Sequence, residues 1–396
     1  MIWQRITSPS DTHGSDPMTT TQQQTSSNPV TVPYVDLSLS HQAIKAELLA
    51  AAASVIDTGQ FILGPEVELF EQEMARLCGV KYAIGVNSGT DALILSLKAL
   101  GVGPGDEVIT APNSFVASAS AIALAGARPV FADVGSDYQL DVNAAAHAIT
   151  PRTRAILPVH LTGKAANMAA ILQLARDHNL FVVEDAAQAI LAEHRGKRVG
   201  AWGDAGCFSL HPLKTLNACG DGGVITTDRE DVAAQAKLLR NLGLKTRENC
   251  EVWSSNSRLD SMQAAMLRVK LRYLEEWTQK RIENAAYYRK HLAGVKEIIC
   301  PSHGQDERAV YHTFVIQAQR RDELKNHLAA QGVQTAVHYP IPIHLQPVAK
   351  GLGYHAGSFP VAETQAQCIL SLPVFPELTK QQLDHVIQSI RQFYQR

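Results

Sequence analysis

Several classes of protein are excluded by what this chain lacks. Its six cysteines (Cys78, Cys207, Cys219, Cys250, Cys300 and Cys368) are scattered. They form no CxxC pair and no short His/Cys spacing of the zinc kind, so neither a disulfide scaffold nor a metal site is expected. They read as small core residues in a reducing compartment, which makes a cytoplasmic location the expectation. Lys and Arg number 36 against 38 Asp and Glu, a formal net charge of −2 with no block of one sign. A nucleic-acid-binding surface is therefore not the main business of the chain. No apolar run is long enough for a membrane span, and the first residues carry no apolar stretch of the signal-peptide kind. Phosphate loops of the nucleotide-hydrolysing type are missing too, since TGKAAN and GLKT lack the glycines required before the lysine. GVGPGDE precedes a strand where a dinucleotide fingerprint would follow one, so it reads as a turn.

What is present is ordinary globular material. The 396 residues carry 45% hydrophobic and 19% charged side chains, enough to bury a large core over two or three domain lengths. Residues 1–30, rich in Ser, Thr, Gln and Pro, read as a disordered tail, with Met18 inside it a candidate start. From Val32 to about Val80 apolar residues recur at helix period. Short apolar runs then alternate with helix-like segments: YAIGV, EVITAP, RPVFADV, RAILPVH, LFVVED, GCFSLH and GGVITTD. This alternation predicts an α/β fold with a mostly parallel sheet covered on both faces, spanning residues 31–275. A long charged helical stretch beginning DSMQAAMLRVKL leads out of it. Residues 276–396 are expected to form a smaller α+β domain.

Ligands in such sheets bind beyond the carboxyl ends of the strands, and three strand ends carry chemistry. Asp185 ends LFVVED; because side chains alternate along a strand, Glu184 and Asp185 must point to opposite faces. Lys214 lies in the loop HPLKTLNACGDGG, 29 positions later (214 − 185). Asn87 to Thr90 lead straight into a helix, whose exposed N–H groups suit a phosphate. Each has a bland reading when taken alone: a helix cap for Asp185, a solvated charge for Lys214, a Ser/Thr cap for the third. Together, a phosphate cradle, a strand-end carboxylate and a loop lysine are the three anchors that pyridoxal 5′-phosphate requires.

The chain also resembles the DegT/DnrJ/EryC1/StrS sugar aminotransferases, built on the fold-type I scaffold of pyridoxal phosphate enzymes. The strings that carry the resemblance run from Val32 to the C-terminus, among them TGQFILGPEVELFE, NSGTDAL, PNSFVASASAI, VVEDAAQAI, GDAGCFSLHPLKTLNACGDGGVITT, NSRLDSMQAAMLRVKL and HYPIPIHLQP. The resemblance implies Lys214 as the Schiff-base lysine and Asp185 as the partner of the pyridine nitrogen. Gln188, one helical turn past Asp185, would lie near the ring hydroxyl. Gly89, Thr90 and Ser209 would hold the phosphate, and Phe115 would stack on the ring. Asn256 would reach the phosphate of a neighbouring subunit, making a homodimer with shared active sites. The chain departs from the family pattern at Ser254–Ser255, where a glycine and an aromatic commonly precede that asparagine, and at His211, where an aromatic commonly precedes the proline.

Dehydratase relatives carry histidine in place of the lysine, so Lys214 favours transamination. L-Glutamate is the expected donor and a keto sugar the acceptor. GDGG after the lysine resembles members acting on nucleotide-linked 3-keto sugars; a 4-keto nucleotide sugar and a keto-sugar phosphate are the alternatives. His211, His338, Tyr339 and His344 are candidate sugar contacts. A regulatory protein that keeps the fold without turnover is the competing class.

Overall fold

The computed structural model describes residues 30–395, so the expected tail and Met18 lie outside the described residues. At its centre is a seven-stranded sheet. Across it the order is Tyr82–Val86, Gly223–Thr227, Ala205–Ser209, Phe181–Asp185, Thr153–Leu157, Glu107–Thr110, Arg128–Phe131. Gly223–Thr227 runs antiparallel to both neighbours, and the other pairs are parallel. Both faces are covered because each strand is apolar on both. Val183 packs in one core with Leu93 and Leu97 of helix Gly89–Ala99, while Val182, one residue earlier, packs in another with Met168 and Ile171 of helix Met168–Asp177. A one-residue slip would exchange these two cores, so the register is firmly fixed.

A second, antiparallel sheet is formed by Ile298–Ile299, Phe314–Ala318 and Ile369–Leu372. Its core is closed by helices Leu274–Leu292, Arg321–Ala330 and Lys380–Tyr394, the last started by a capping box between Thr379 and Gln382. Val32 is buried in this same core and bridges to Val333, which holds Tyr34 at the junction between the two sheets. The long helical stretch expected after Asp260 is two helices, Ser261–Leu271 and Leu274–Leu292. The break at Arg272–Tyr273 lets the first stay packed on the N-terminal helices while the second follows the C-terminal sheet. No described helix is long and apolar enough to cross a membrane.

Candidate active site

A cavity of about 360 Å³ opens at the carboxyl ends of the central strands. Its position follows from the topology, since loops and helix N-termini gather there. Gly89, Thr90, Phe115, Asp185, Gln188, Ser209, His211, Lys214, His338 and Tyr339 all line it. Ten of the twelve residues singled out from the sequence thus meet in one place, drawn from segments 250 residues apart (339 − 89).

The strand end resolves the Glu184–Asp185 pair as alternation requires. Asp185 faces the cavity, and its Oδ2 accepts a hydrogen bond from Ser118 Oγ at 2.7 Å while Oδ1 accepts from the Ala187 amide at 3.1 Å. Glu184 points the other way, fully buried. It accepts from the amides of Gly200, Trp202 and Gly203 at 2.7–2.8 Å and from His160 Nε2 at 2.9 Å. His160 Nδ1 accepts from the Ala166 amide, which puts the ring proton on Nε2, facing Glu184. The helix expected after Asp185 is absent: residues 186–190 turn instead. The Ala186 amide donates to Cys207 of the next strand, and the Asp185 carboxylate takes the Ala187 amide, so neither enters a helical ladder. Gln188 still reaches the cavity from this turn, with its Oε1 fixed by the Thr162 amide at 2.7 Å.

Lys214 sits in a loop held from behind. Its carbonyl accepts from Asn217 Nδ2 at 3.0 Å; Asn217 Oδ1 and carbonyl in turn accept from Lys270 Nζ at 2.7 and 2.9 Å. Lys270 is itself fully buried. Neither Asn217 nor Lys270 was singled out from the sequence, because a supporting contact leaves no pattern of its own. Burial lowers the Lys214 amine below the ordinary lysine value, with the Asp185 charge opposing the shift. The amine is thereby more readily neutral, the form that attacks a carbonyl or accepts a proton.

The start of helix Gly89–Ala99 also lines the cavity, capped by Ser88 Oγ on the Asp91 amide. Close approach is required here: a Cβ on Gly89 would stand 2.6 Å from Ser209 Cβ, and one on Gly223 would stand 2.2 Å from the Ser88 carbonyl. Glycine alone permits the helix start, the Ser209 strand end and the Gly223 strand start to converge. Phe115 is 54% exposed at the rim, its ring 5.7 Å from that of Tyr339. Burial, reinforced by Lys214, pushes the half-buried His338 down to about 4, so it is neutral near pH 7. Tyr339 is pushed up to about 12, first by burial and then by Asp185.

Two candidates are not brought in. His344 is a correction: it is buried beside Phe359, 4.7 Å between ring centroids, and its Nε2 is bonded to Glu363 Oε1 at 2.9 Å, away from the cavity. Its place in a Pro-rich loop resembled a binding loop, but the side chain packs inward. Asn256 is exposed and bridges to Asn241 on the outside of the fold. Among the lining residues that the sequence reading passed over are Tyr34, Ser118, Arg281, His312 and Thr313.

The residues present fit pyridoxal phosphate. A glycine-cleared helix start offers amides to a phosphate, a buried carboxylate waits at mid-cavity for a cationic ring nitrogen, and among the described residues no partner occupies the Lys214 amine.

The chain matches known proteins over most of its length. The DegT/DnrJ/EryC1/StrS aminotransferase family model matches residues 42–391. The chain is 45% identical, over 92% of its length and 97% of the relative, to the dTDP-3-amino-3,4,6-trideoxy-alpha-D-glucose transaminase of Streptomyces venezuelae. It is 42% identical, over 91% of its length and 97% of the relative, to the UDP-N-acetyl-3-dehydro-alpha-D-glucosamine 3-aminotransferase of Acidithiobacillus ferrooxidans. The crystal structure of S. venezuelae DesV in complex with a ketimine intermediate superposes with a TM-score of 0.91 at 44% identity, covering 92% of this chain and 99% of that one.

Proposed function

Because this chain belongs to the DegT/DnrJ/EryC1/StrS aminotransferase family, we propose that it moves the amino group of L-glutamate onto the C-3 ketone of a nucleotide-linked sugar, as a cytoplasmic homodimer. The observation that carries the reading is the convergence of Lys214, Asp185 and the Gly89 helix start on one cavity. The activities of the two relatives, both at C-3, support the position of the ketone. Support for a homodimer comes from the segment around Asn256, where Leu242, Val252 and the 96%-exposed Trp253 leave an apolar surface bare. The family resemblance would place Asn256 of one copy at the phosphate of the other.

Pyridoxal phosphate, when bound, supplies an electron sink for the charge left behind when a proton leaves the substrate carbon. The chain does the rest. Lys214 would anchor the cofactor through its amine and, when free, would take the proton from the donor's Cα and give it back in the return half. Asp185 would keep a proton on the ring nitrogen, and the Ser118 hydroxyl holds that carboxylate in place. Thr90, Ser209 and the Gly89 amide would hold the phosphate, and Phe115 would stack on the ring. His211, His338 and Tyr339 would contact the sugar.

Borohydride reduction followed by peptide mapping tests the anchor: the pyridoxyl adduct is expected on the peptide carrying Lys214, and an adduct elsewhere overturns the assignment. Lys214→Ala should give no adduct and no turnover. For the acceptor, 3-amino and 4-amino nucleotide sugars are each offered with 2-oxoglutarate in the reverse direction; turnover of the 4-amino sugar alone refutes the C-3 reading. A protein whose yellow colour no amino acid bleaches would instead be the non-catalytic binder.

A further inference from the structure

The proposed roles leave part of the cavity lining unused: Tyr34, Val35 and Phe375, and with them Arg281, Thr313 and His312. Arg281 is only 8% exposed and Thr313 5%. Among the described residues no carboxylate lies within ion-pair distance of Arg281, and its Nε is sealed without a hydrogen-bond partner. Thr313 Oγ1 and His312 Nδ1 are likewise buried and unpartnered. Glu377, which is not among the lining residues, is the acidic group that acts on Arg281, and its own Oε2 is also unpartnered. A desolvated guanidinium left in this state is costly, and unsatisfied buried polar groups are rare unless a ligand completes them.

We propose that Arg281, backed by Thr313 and His312, is the subsite that takes a carboxylate of the amino donor. This rests on the aminotransferase reading above. A carboxylate is planar and only accepts hydrogen bonds; the guanidinium fork and the threonine hydroxyl are donors that match it. His312, neutral through burial and the nearby Lys214 charge, can present a ring N–H as well. These residues suit the donor better than the sugar nucleotide. They are buried or half-buried, whereas His211 and Leu213 of the same lining are exposed and leave room for a bulky acceptor.

The test separates the two half-reactions in the loaded enzyme and adds a binding measurement. With Arg281→Gln, bleaching by L-glutamate should lose roughly 100-fold or more in kcat/KM, the scale of losing one partner of a desolvated charge pair. Return of colour when the aminated enzyme meets its keto sugar should change less than about threefold on the same scale. Calorimetric binding of glutarate, an unreactive dicarboxylate, should weaken in parallel with the first half-reaction. Thr313→Val, a gentler change, should weaken glutarate by roughly 10-fold or more, the value of a hydrogen bond to a charged group; this arm stands if Arg281→Gln folds poorly. L-Alanine distinguishes the sources: a loss with both donors places the α-carboxylate on Arg281, a loss with glutamate alone places the side-chain carboxylate there. Equal losses in both half-reactions, unchanged glutarate binding, or a Glu377→Gln variant that reproduces the Arg281→Gln losses overturns the proposal. A wild-type protein that no amino acid bleaches refutes the aminotransferase reading instead, and the glutarate comparison then still judges Arg281.

Discussion

Replacing Glu184 with glutamine removes one charge and almost no volume, yet the structure makes it a severe change. The carboxylate is fully buried and its two oxygens each accept two hydrogen bonds: Oε1 from the Trp202 and Gly203 amides, Oε2 from the Gly200 amide and His160 Nε2. An amide must place its NH2 at one of these oxygens. At the first position it faces two backbone N–H groups. At the second it faces the Gly200 N–H, and His160 cannot become the acceptor without turning its proton toward the Ala166 amide. Two buried donors are stranded either way. At about 1–3 kcal/mol each, Glu184→Gln should cost about 2–6 kcal/mol, read as a lowered urea midpoint of the cofactor-free protein with the slope unchanged. Because the His160 amide donates to the Asp185 carbonyl at 3.0 Å, the same change should loosen the strand end and weaken cofactor retention. A midpoint equal to wild type would falsify the idea that Glu184 braces the site from behind.

Other expectations follow from single features. Gly89→Ala forces a Cβ to within 2.6 Å of Ser209 Cβ; the clash should raise the cofactor dissociation constant roughly 10-fold or more, as overpacking does, and a dialysis titration showing wild-type affinity counts against the cradle. Lys214→Met should stabilise the cofactor-free protein at pH 7, since the native state holds that amine below its unfolded value of 10.5 and so pays to keep it protonated. The gain should shrink as pH rises from the lowered native value toward 10.5 and vanish above it, and a gain independent of pH across that window refutes burial as its cause. His344→Ala should lower the melting temperature through its lost contact with Glu363 while leaving the sugar KM within about twofold; a large rise in KM restores His344 to the site.

The parts of the site that were legible in the sequence are those that topology delivers. Asp185, Lys214 and Gly89 each stand at the end of an apolar run, and a parallel sheet gathers such ends on one edge whatever else the loops do. The alternation rule separated Glu184 from Asp185 before any coordinate was known. Local conformation was less legible. AAQAI after Asp185 has helix propensity, yet pairing of the Ala186 amide with Cys207 and of the Ala187 amide with Asp185 spends its donors on other partners. Tertiary hydrogen bonds outweigh a weak intrinsic preference there. His344 failed for a related reason: nothing in a Pro-rich loop tells whether a histidine faces a cavity or a glutamate nineteen residues on.

Arg281 and Lys270 show where a sharper reading was available. Along helix Leu274–Leu292 the buried positions include Leu274, Thr278, Arg281, Ala285, Tyr288 and Leu292, steps of three and four residues, so the arginine occupies the core stripe of a helix otherwise rich in charge. Lys270 does the same beside Leu267 and Val269 in helix Ser261–Leu271. A cation on such a stripe must find acceptors within the fold or wait for them from outside. Lys270 has found them in Asn217 and His41, at 2.7–2.9 Å, and its work is to brace the Lys214 loop. Arg281, also buried, has none among the described residues and borders the cavity. Spacing alone marks both positions as unusual; the difference between a brace and a binding group lies in whether acceptors are already there, which only the folded neighbours decide.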